Sequence, residues 1–348
     1  MPIHGIINFR SSNKDRISRI SEVSAMPLKI DLTHAKEERE PGVVDRWIQA
    51  FRLQFVPTSI FPALLGSVIA WATFREFHFL YFVMVISGVA LHHIGLNMID
   101  DVFDYLHAVD RSHGGEKNPY TGGSGVLAGR LLSARNVFCV SIFCYFLALI
   151  TAVYLTLSVG WPVLIFVGIG LFSSVFYSVP PIRYGYRGFG EFSLLINFGP
   201  VICLGAFYAQ TGSIAWEPFI ISLVPGFLMW SMIVINEIPD YEEDRQAGKL
   251  NLVARFGKKA GILLYSAGLI SAYATLLLAV FFGVSSLQVL LGFLSIPAAF
   301  NSLIILRKNY HDRLKMAPAN LAAIKVHAFT LSFLIIGYLA KGVQVNLL

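Results

Sequence analysis

The stretch Phe79–Tyr105, FLYFVMVISGVALHHIGLNMIDDVFDY, is an apolar run that ends in acid. Its first part, residues 79–99, is close to the ~20 residues a helix needs to cross about 30 Å of hydrocarbon. Its end carries Asn97, Asp100, Asp101 and Asp104 at spacing i, i+3, i+4, i+7, so a helix puts all four side chains on one face. Three neighbouring carboxylates repel one another, and at a membrane boundary they are costly unless a cation joins them. Hard oxygen ligands suit Mg²⁺, which binds one or two carboxylates and fills its shell with substrate phosphate oxygens.

A second run ends the same way. Asn236-Glu237-Ile238-Pro239-Asp240-Tyr241-Glu242-Glu243-Asp244 closes the apolar block 217–236 and is followed by Arg245 and Lys249. Asn236, Asp240 and Asp244 are four apart, and each such step turns only about 40° around a helix, so they share one broad face. One cluster alone could be a solvated helix end. Two clusters at the same depth, capping even-numbered blocks and so facing the same surface, point to a shared cation site.

The rest of the chain fits a membrane bundle. Of 348 residues, 55% are hydrophobic and 14% charged, and the mean hydropathy is +0.64; soluble domains carry closer to a quarter charged residues. Apolar blocks fall at 56–74, 79–99, 136–157, 161–178, 192–210, 217–236, 260–282, 286–306 and 323–340, which predicts an all-α bundle of about nine transmembrane helices. Loops after the even-numbered blocks carry Arg130, Arg135, Arg183, Arg187, Lys258, Arg307, Arg313 and other cations, against little beyond Arg75 and Lys341 on the opposite side. The positive-inside rule therefore places the N-terminus and both acid clusters in the cytoplasm, with the protein multi-pass in the cell (inner) membrane.

Net charge is +6, but the cations lie in short loops, which favours lipid headgroups and an anionic substrate over nucleic acid. Residues 1–42 are polar, lack a signal-peptide core and read as a mobile segment before a transmembrane domain at 43–348. Residues 43–52, with Trp47, Ile48 and Phe51, suit a helix in the membrane interface. Cys139, Cys144 and Cys203 lie inside apolar blocks without metal-ligand spacing and read as packing residues.

Allylic diphosphate ionisation needs such an arrangement. Diphosphate leaves only when its charge is neutralised, and Mg²⁺ with Lys and Arg supplies that neutralisation as the C–O bond breaks. The allylic cation then needs a dry pocket, and aromatic faces stabilise it; Tyr105, Tyr177, Tyr184, Tyr186 and Tyr241 lie near the acid-bearing helix ends, where interfacial anchoring is their commoner role.

Four stretches resemble the UbiA superfamily of membrane prenyltransferases, and most closely its 1,4-dihydroxy-2-naphthoate polyprenyltransferase branch. They are Arg52-Leu53-Gln54-Phe55-Val56-Pro57-Thr58-Ser59 with Pro62; Asp100 to Asp110 with the loop Gly122-Gly123-Ser124-Gly125-Val126-Leu127; Tyr177-Ser178-Val179-Pro180-Pro181-Ile182-Arg183 through Gly190-Glu191, Phe198-Gly199-Pro200 and Gln210-Thr211-Gly212; and Asn236 to Asp244 through Ala247-Gly248-Lys249 to Phe256-Gly257. The resemblance implies a nine-helix bundle with a cytoplasmic-facing cavity and a side opening to lipid. Its candidate catalytic residues are Asp101, Asp104, Asp240, Asp244 and Arg183. The candidate diphosphate-binding residues are Asn97, Asn236, Lys249, Arg187, Arg52 and Tyr177, and Mg²⁺ falls to Asp100, Asp101, Asp104, Asp240 and Asp244. The implied partners are a polyprenyl diphosphate and an aromatic acceptor, 1,4-dihydroxy-2-naphthoate, giving demethylmenaquinone.

The chain departs from that branch in places. Asp100 stands where the branch has Asn, Leu53 where it has Pro, and Pro181 where other superfamily members have the Lys of Tyr-x-x-x-Lys, which moves the basic role to Arg183. His93 shares the face of Asn97 and reads as a buried, hydrogen-bonded histidine; Pro239 reads as a bend. Other readings are a related enzyme acting on another aromatic acceptor or a glycerol phosphate, a soluble isoprenyl diphosphate synthase, which the apolar blocks oppose, and a transporter. Transporters place their acids near the midplane rather than at one surface.

Overall fold

In a computed structural model of the chain, residues 41–107, 109 and 118–347 are described. The segment before residue 41, and Asp110 among the residues singled out above, lie outside the described residues.

The described chain is helical. After α1 (Val43–Phe51) come α2 (Pro57–Ile69), α3 (Phe79–Leu106), α4 (Ala134–Val159), α5 (Val163–Ser178), α6 (Gly190–Ile196), α7 (Ile202–Thr211), α8 (Trp216–Gln246), α9 (Leu252–Phe256), α10 (Lys258–Phe281), α11 (Ile296–Asn309) and α12 (Ala317–Leu347). Wider π-helical turns continue α2 through Ala70–Phe74 and join α6 to α7 through Asn197–Val201, and a 3₁₀ segment, Leu287–Ser295, leads into α11.

Eight of the nine apolar blocks form helices long and apolar enough to cross a membrane. The block at 161–178 forms α5, whose 16 residues rise about 24 Å and fall short of a full crossing. The helices also outlast their apolar blocks. α3 runs to Leu106 and α8 runs through Pro225 and Pro239 to Gln246, so both acid clusters lie within helical turns rather than in the loops beyond them.

Packing follows burial. α8 is central, with 72% of its most apolar stretch buried, and the main core gathers Val224, Leu228, Ile235 and Ile238 of α8 with Leu65 of α2, Phe207 of α7 and Tyr265 of α10. Close approach is built in where α8 meets the π-helical turn. A Cβ on Gly199 would come within 2.6 Å of the Ser222 carbonyl and 2.8 Å of the Gly226 Cα. At the periphery α4 exposes Phe143, Phe146 and Leu157, which would be a liability in water and is unremarkable in hydrocarbon.

Four loops meet at one end of the bundle. Asn118 Nδ2 donates to Asn320 Oδ1 (3.0 Å) and to the Arg313 carbonyl (3.2 Å), Gly122 N donates to Asp240 Oδ2 (2.7 Å), and Leu250 N donates to the Tyr186 carbonyl (3.0 Å). These contacts bring the connections after α3, α5, α8 and α11 to the same face, the face that carries the acids.

Candidate active site at the acid-bearing end

α3 and α8 share a chamber of about 130 Å³, walled by Asn97 and Asp100 of α3 and Asn236 of α8 with Arg52, His93 and Tyr177, and closed by apolar side chains such as Phe198 and Met232. Of the two clusters, Asn97, Asp100 and Asn236 line this space, and Asp101, Asp104, Asp240 and Asp244 lie outside its lining.

Each acid is held by a donor. Asp101, buried, accepts from the Ser124 amide on both oxygens (3.0 Å each), with the Arg52 guanidinium 3.7 Å away. Asp104, also buried, accepts from Tyr186 Oη (2.6 Å) and Lys249 Nζ (2.7 Å). The Ser178 hydroxyl donates to Asp100. On the other helix, Asp240 accepts from the Gly122 amide and meets Arg313 at 3.5 Å. Asp244 accepts from Asn251 Nδ2 at 2.7 Å, while Asn251 Oδ1 caps α9 by accepting from Ala254 N.

Lys249 joins the two clusters. Burial works against its charge, yet Asp104, Asp244 and Asp100 around it hold its pKa well above the ordinary lysine value, so it stays an ammonium. Burial and the Asp104 carboxylate push the Tyr186 phenol up, so it keeps the proton it donates to Asp104.

The basic residues of the middle stretch are less central. Arg183, in a left-handed conformation (φ 41°), stacks over the Tyr186 ring at 5.1 Å. Arg187 is exposed, donates to the Pro181 carbonyl (3.1 Å) and has no carboxylate partner among the described residues. Arg52 is the left-handed cap of α1 (φ 50°), which turns its side chain back toward Asp101. Asn97 donates to the Phe51 carbonyl (3.3 Å), and Asn236 accepts from Asn320 Nδ2 (2.8 Å).

Tyr177 divides the chamber from a second space. Its ring sits where Cβ atoms on Gly185 or Gly190 would be, at 2.8 and 3.0 Å, so the glycines of this stretch make the slot that holds it. Beyond it runs an apolar tunnel of about 180 Å³, which shares His93, Leu96, Leu194 and Phe198 with the chamber. Tunnel-lining residues run from Tyr177 to Val163 along α5 and from Leu96 to Met84 along α3, a depth of roughly 20 Å at 1.5 Å per residue.

Among the described residues no three carboxylate, histidine or cysteine side chains gather into a metal-binding group by themselves. The acids instead stand apart, with Asp100 on the chamber wall and the others held by donors on neighbouring segments. That donor set fits Mg²⁺ shared with a substrate, because Mg²⁺ takes few protein carboxylates and keeps its other positions for water and phosphate oxygens.

Several site residues carry no local sequence signal. Arg313 pairs with both Asp240 and Glu243, and Asn118, Asn320 and Asn236 form a hydrogen-bonded run across three segments. Glu191 is fully buried and takes the Leu252 amide at 2.5 Å, which ties α6 to α9.

Residues 59–332 match the UbiA prenyltransferase family, so the chain belongs to that family and is a multi-pass membrane prenyltransferase. The chain is 26% identical over 304 residues to a 2-carboxy-1,4-naphthoquinone phytyltransferase of Synechocystis sp., covering 86% of this chain and 94% of that protein. It is 25% identical to a 1,4-dihydroxy-2-naphthoate octaprenyltransferase of Bacillus subtilis, covering 72% and 78%. Its fold is similar to that of a UbiA homologue from Archaeoglobus fulgidus solved with DMAPP and Mg²⁺, with a TM-score of 0.56, 18% identity, and 83% and 99% of the two chains covered.

Proposed function

From membership of the UbiA prenyltransferase family, we propose that this chain transfers a prenyl group from a polyprenyl diphosphate to 1,4-dihydroxy-2-naphthoate. The product is the quinol of demethylmenaquinone. The observation that carries this reading is that two spaces of different character adjoin. A chamber that takes Asn97 and Asp100 from one cluster and Asn236 from the other shares the walls Tyr177 and Phe198 with an apolar tunnel, which suits one molecule with an anionic head and a hydrocarbon tail. The names of the Synechocystis and Bacillus relatives support a naphthalene-ring acceptor.

In this reading Asp100, Asp101, Asp104, Asp240 and Asp244 hold Mg²⁺, which neutralises charge building on the diphosphate as it leaves. Lys249 and Arg52 sit among those acids and address the diphosphate directly, with Arg183 at the edge of the site. The C1–O bond of the donor breaks and its electron pair leaves with diphosphate. The ring carbon that bears the carboxylate attacks C1, and loss of CO₂ returns the bonding pair to the ring, so no proton or electron is left over. Tyr177 and Phe198, at the junction of chamber and tunnel, exclude water and offer their faces to the cation. The distribution of Lys and Arg supports a cytoplasmic position for this end.

The test is incubation of purified protein with radiolabelled prenyl diphosphate and a panel of aromatic acceptors, with and without Mg²⁺. The expected result is Mg²⁺-dependent alkylation of the naphthoate with release of CO₂. Alkylation of hydroxybenzoate or a glycerol phosphate, with the naphthoate inert, overturns the acceptor.

A further inference from the structure

Asn197 opens the π-helical turn between α6 and α7, a kind of irregularity often found at functional sites. Its amide orientation is fixed. Nδ2 donates to the Ser193 carbonyl (2.7 Å) and to Ser193 Oγ (3.1 Å), Ser193 Oγ donates to Tyr184 Oη (2.9 Å), and Tyr184 Oη donates to the Ser173 carbonyl. Both chains of donation end on backbone carbonyls, which only accept. Flipping the amide would set its oxygen against the Ser193 carbonyl, so Oδ1 is the end of the amide left without a partner.

That oxygen has no hydrogen-bond donor among the described residues, although Asn197 is only 9% exposed. The residue lines the tunnel beside Phe198, which walls both tunnel and chamber, while Oδ1 itself is covered and is reached by a ligand once neighbouring side chains give way. Asn197 lies seven residues into the helix that starts at Gly190, and Asn97 lies nine residues from the end of α3. At 1.5 Å per residue these depths are roughly 10 and 14 Å, so the orphan oxygen stands near the level of the chamber rather than deep in the tunnel.

A buried acceptor without a donor is costly and calls for a ligand that brings one. A prenyl tail carries no O–H or N–H. An ionised diphosphate presents only acceptor oxygens and repels the amide oxygen. A hydroxylated aromatic ring supplies what is missing. We propose that Asn197 Oδ1 accepts the O–H of a ring hydroxyl on the aromatic acceptor, which makes Asn197 a specificity-determining residue that seats the acceptor at the mouth of the tunnel. This rests on the prenyl-transfer reading above and names the residue that reads the acceptor.

The experiment crosses one variant with one ligand change. Asn197→Leu keeps the branching of the side chain and removes the amide, and a methoxy analogue of the acceptor removes the donated proton. Expected for Asn197→Leu are an acceptor KM about 10- to 100-fold higher and an unchanged KM for the prenyl diphosphate. The methoxy analogue should bind wild type more weakly than the hydroxyl form by a similar factor, and that discrimination should disappear in the variant. A raised donor KM, or hydroxyl discrimination that survives in Asn197→Leu, overturns the assignment. Equal binding of the two ligands by wild type overturns it without any variant, so a poorly folding Asn197→Leu does not shield it. Equilibrium binding of both ligands is measured alongside turnover; if transfer itself fails, the functional reading falls while the binding pair still decides Asn197.

Discussion

The two ends of the bundle use charge in opposite ways. At the end away from the acid clusters one carboxylate, Glu217, is surrounded by donors. Lys341 Nζ lies 3.0 Å from it, Ser285 and Tyr338 donate to the same oxygen (2.8 and 3.0 Å), and Lys341 also reaches Thr73. Arg75 closes on the Gly342 carbonyl at 3.0 Å, and the His78 amide donates to Gln210 at 2.6 Å. These groups pin α2, α8 and α12 together, and the carboxylate is answered by a cation of its own. At the other end Asp100, Asp101, Asp104, Asp240 and Asp244 outnumber Arg52, Lys249 and Arg313. A fold can hold its ends together with matched charge. An excess of carboxylates beside a chamber is instead a standing demand for cations from outside.

That contrast can be broken by substitution. The largest expected effect is at the surplus end. Asp101→Asn or Asp240→Asn should cut prenyl transfer by about three orders of magnitude or more, as loss of a metal anchor for transition-state charge implies. The variant should still elute as a folded membrane protein, and near-normal turnover would remove the metal assignment. A middle effect is expected for Lys249→Ala, about 10- to 100-fold in kcat/KM for the prenyl diphosphate, because the ammonium that bridges Asp104 and Asp244 is gone. Kinetics across donor concentration check this, and a loss confined to the acceptor KM would contradict it. The smallest effect on activity belongs to the matched end. Glu217→Gln should lower stability by about 1–3 kcal/mol, since the pair with Lys341 is partly buried. Turnover per folded molecule should not change; a melting curve read beside an activity assay tells the two apart.

Much of this was legible in the sequence because the signals are local. An apolar block ending in Asn97, Asp100, Asp101 and Asp104 announces both a span and its chemistry, and the same holds for the block ending in Asn236, Asp240 and Asp244. What was not legible depends on partners far along the chain. Arg313 reads as one more loop cation until α11 and α12 bring it to Asp240 and Glu243. Arg187, taken with Arg183 as a phosphate contact, turns outward because its guanidinium closes back on Pro181. The tunnel left no periodic trace either, since it is a space between helices whose residues are as apolar as any span. Asn197 sits in an apolar block where nothing local tells a satisfied amide from an orphaned one.

The hydrogen bond between Asn118 and Asn320 spans 202 positions of sequence. At about 5–20 residues per second, the ribosome takes roughly 10–40 s to travel that far. The connection after α3, with its grip on Asp101 and Asp240, therefore cannot complete its hydrogen bonds until the last helix is being made. A polypeptide that stops short of α12 lacks the amide that accepts from Asn118 and donates to Asn236, so this clasp between the loop after α3 and the acid-bearing turn of α8 closes only when synthesis is nearly complete.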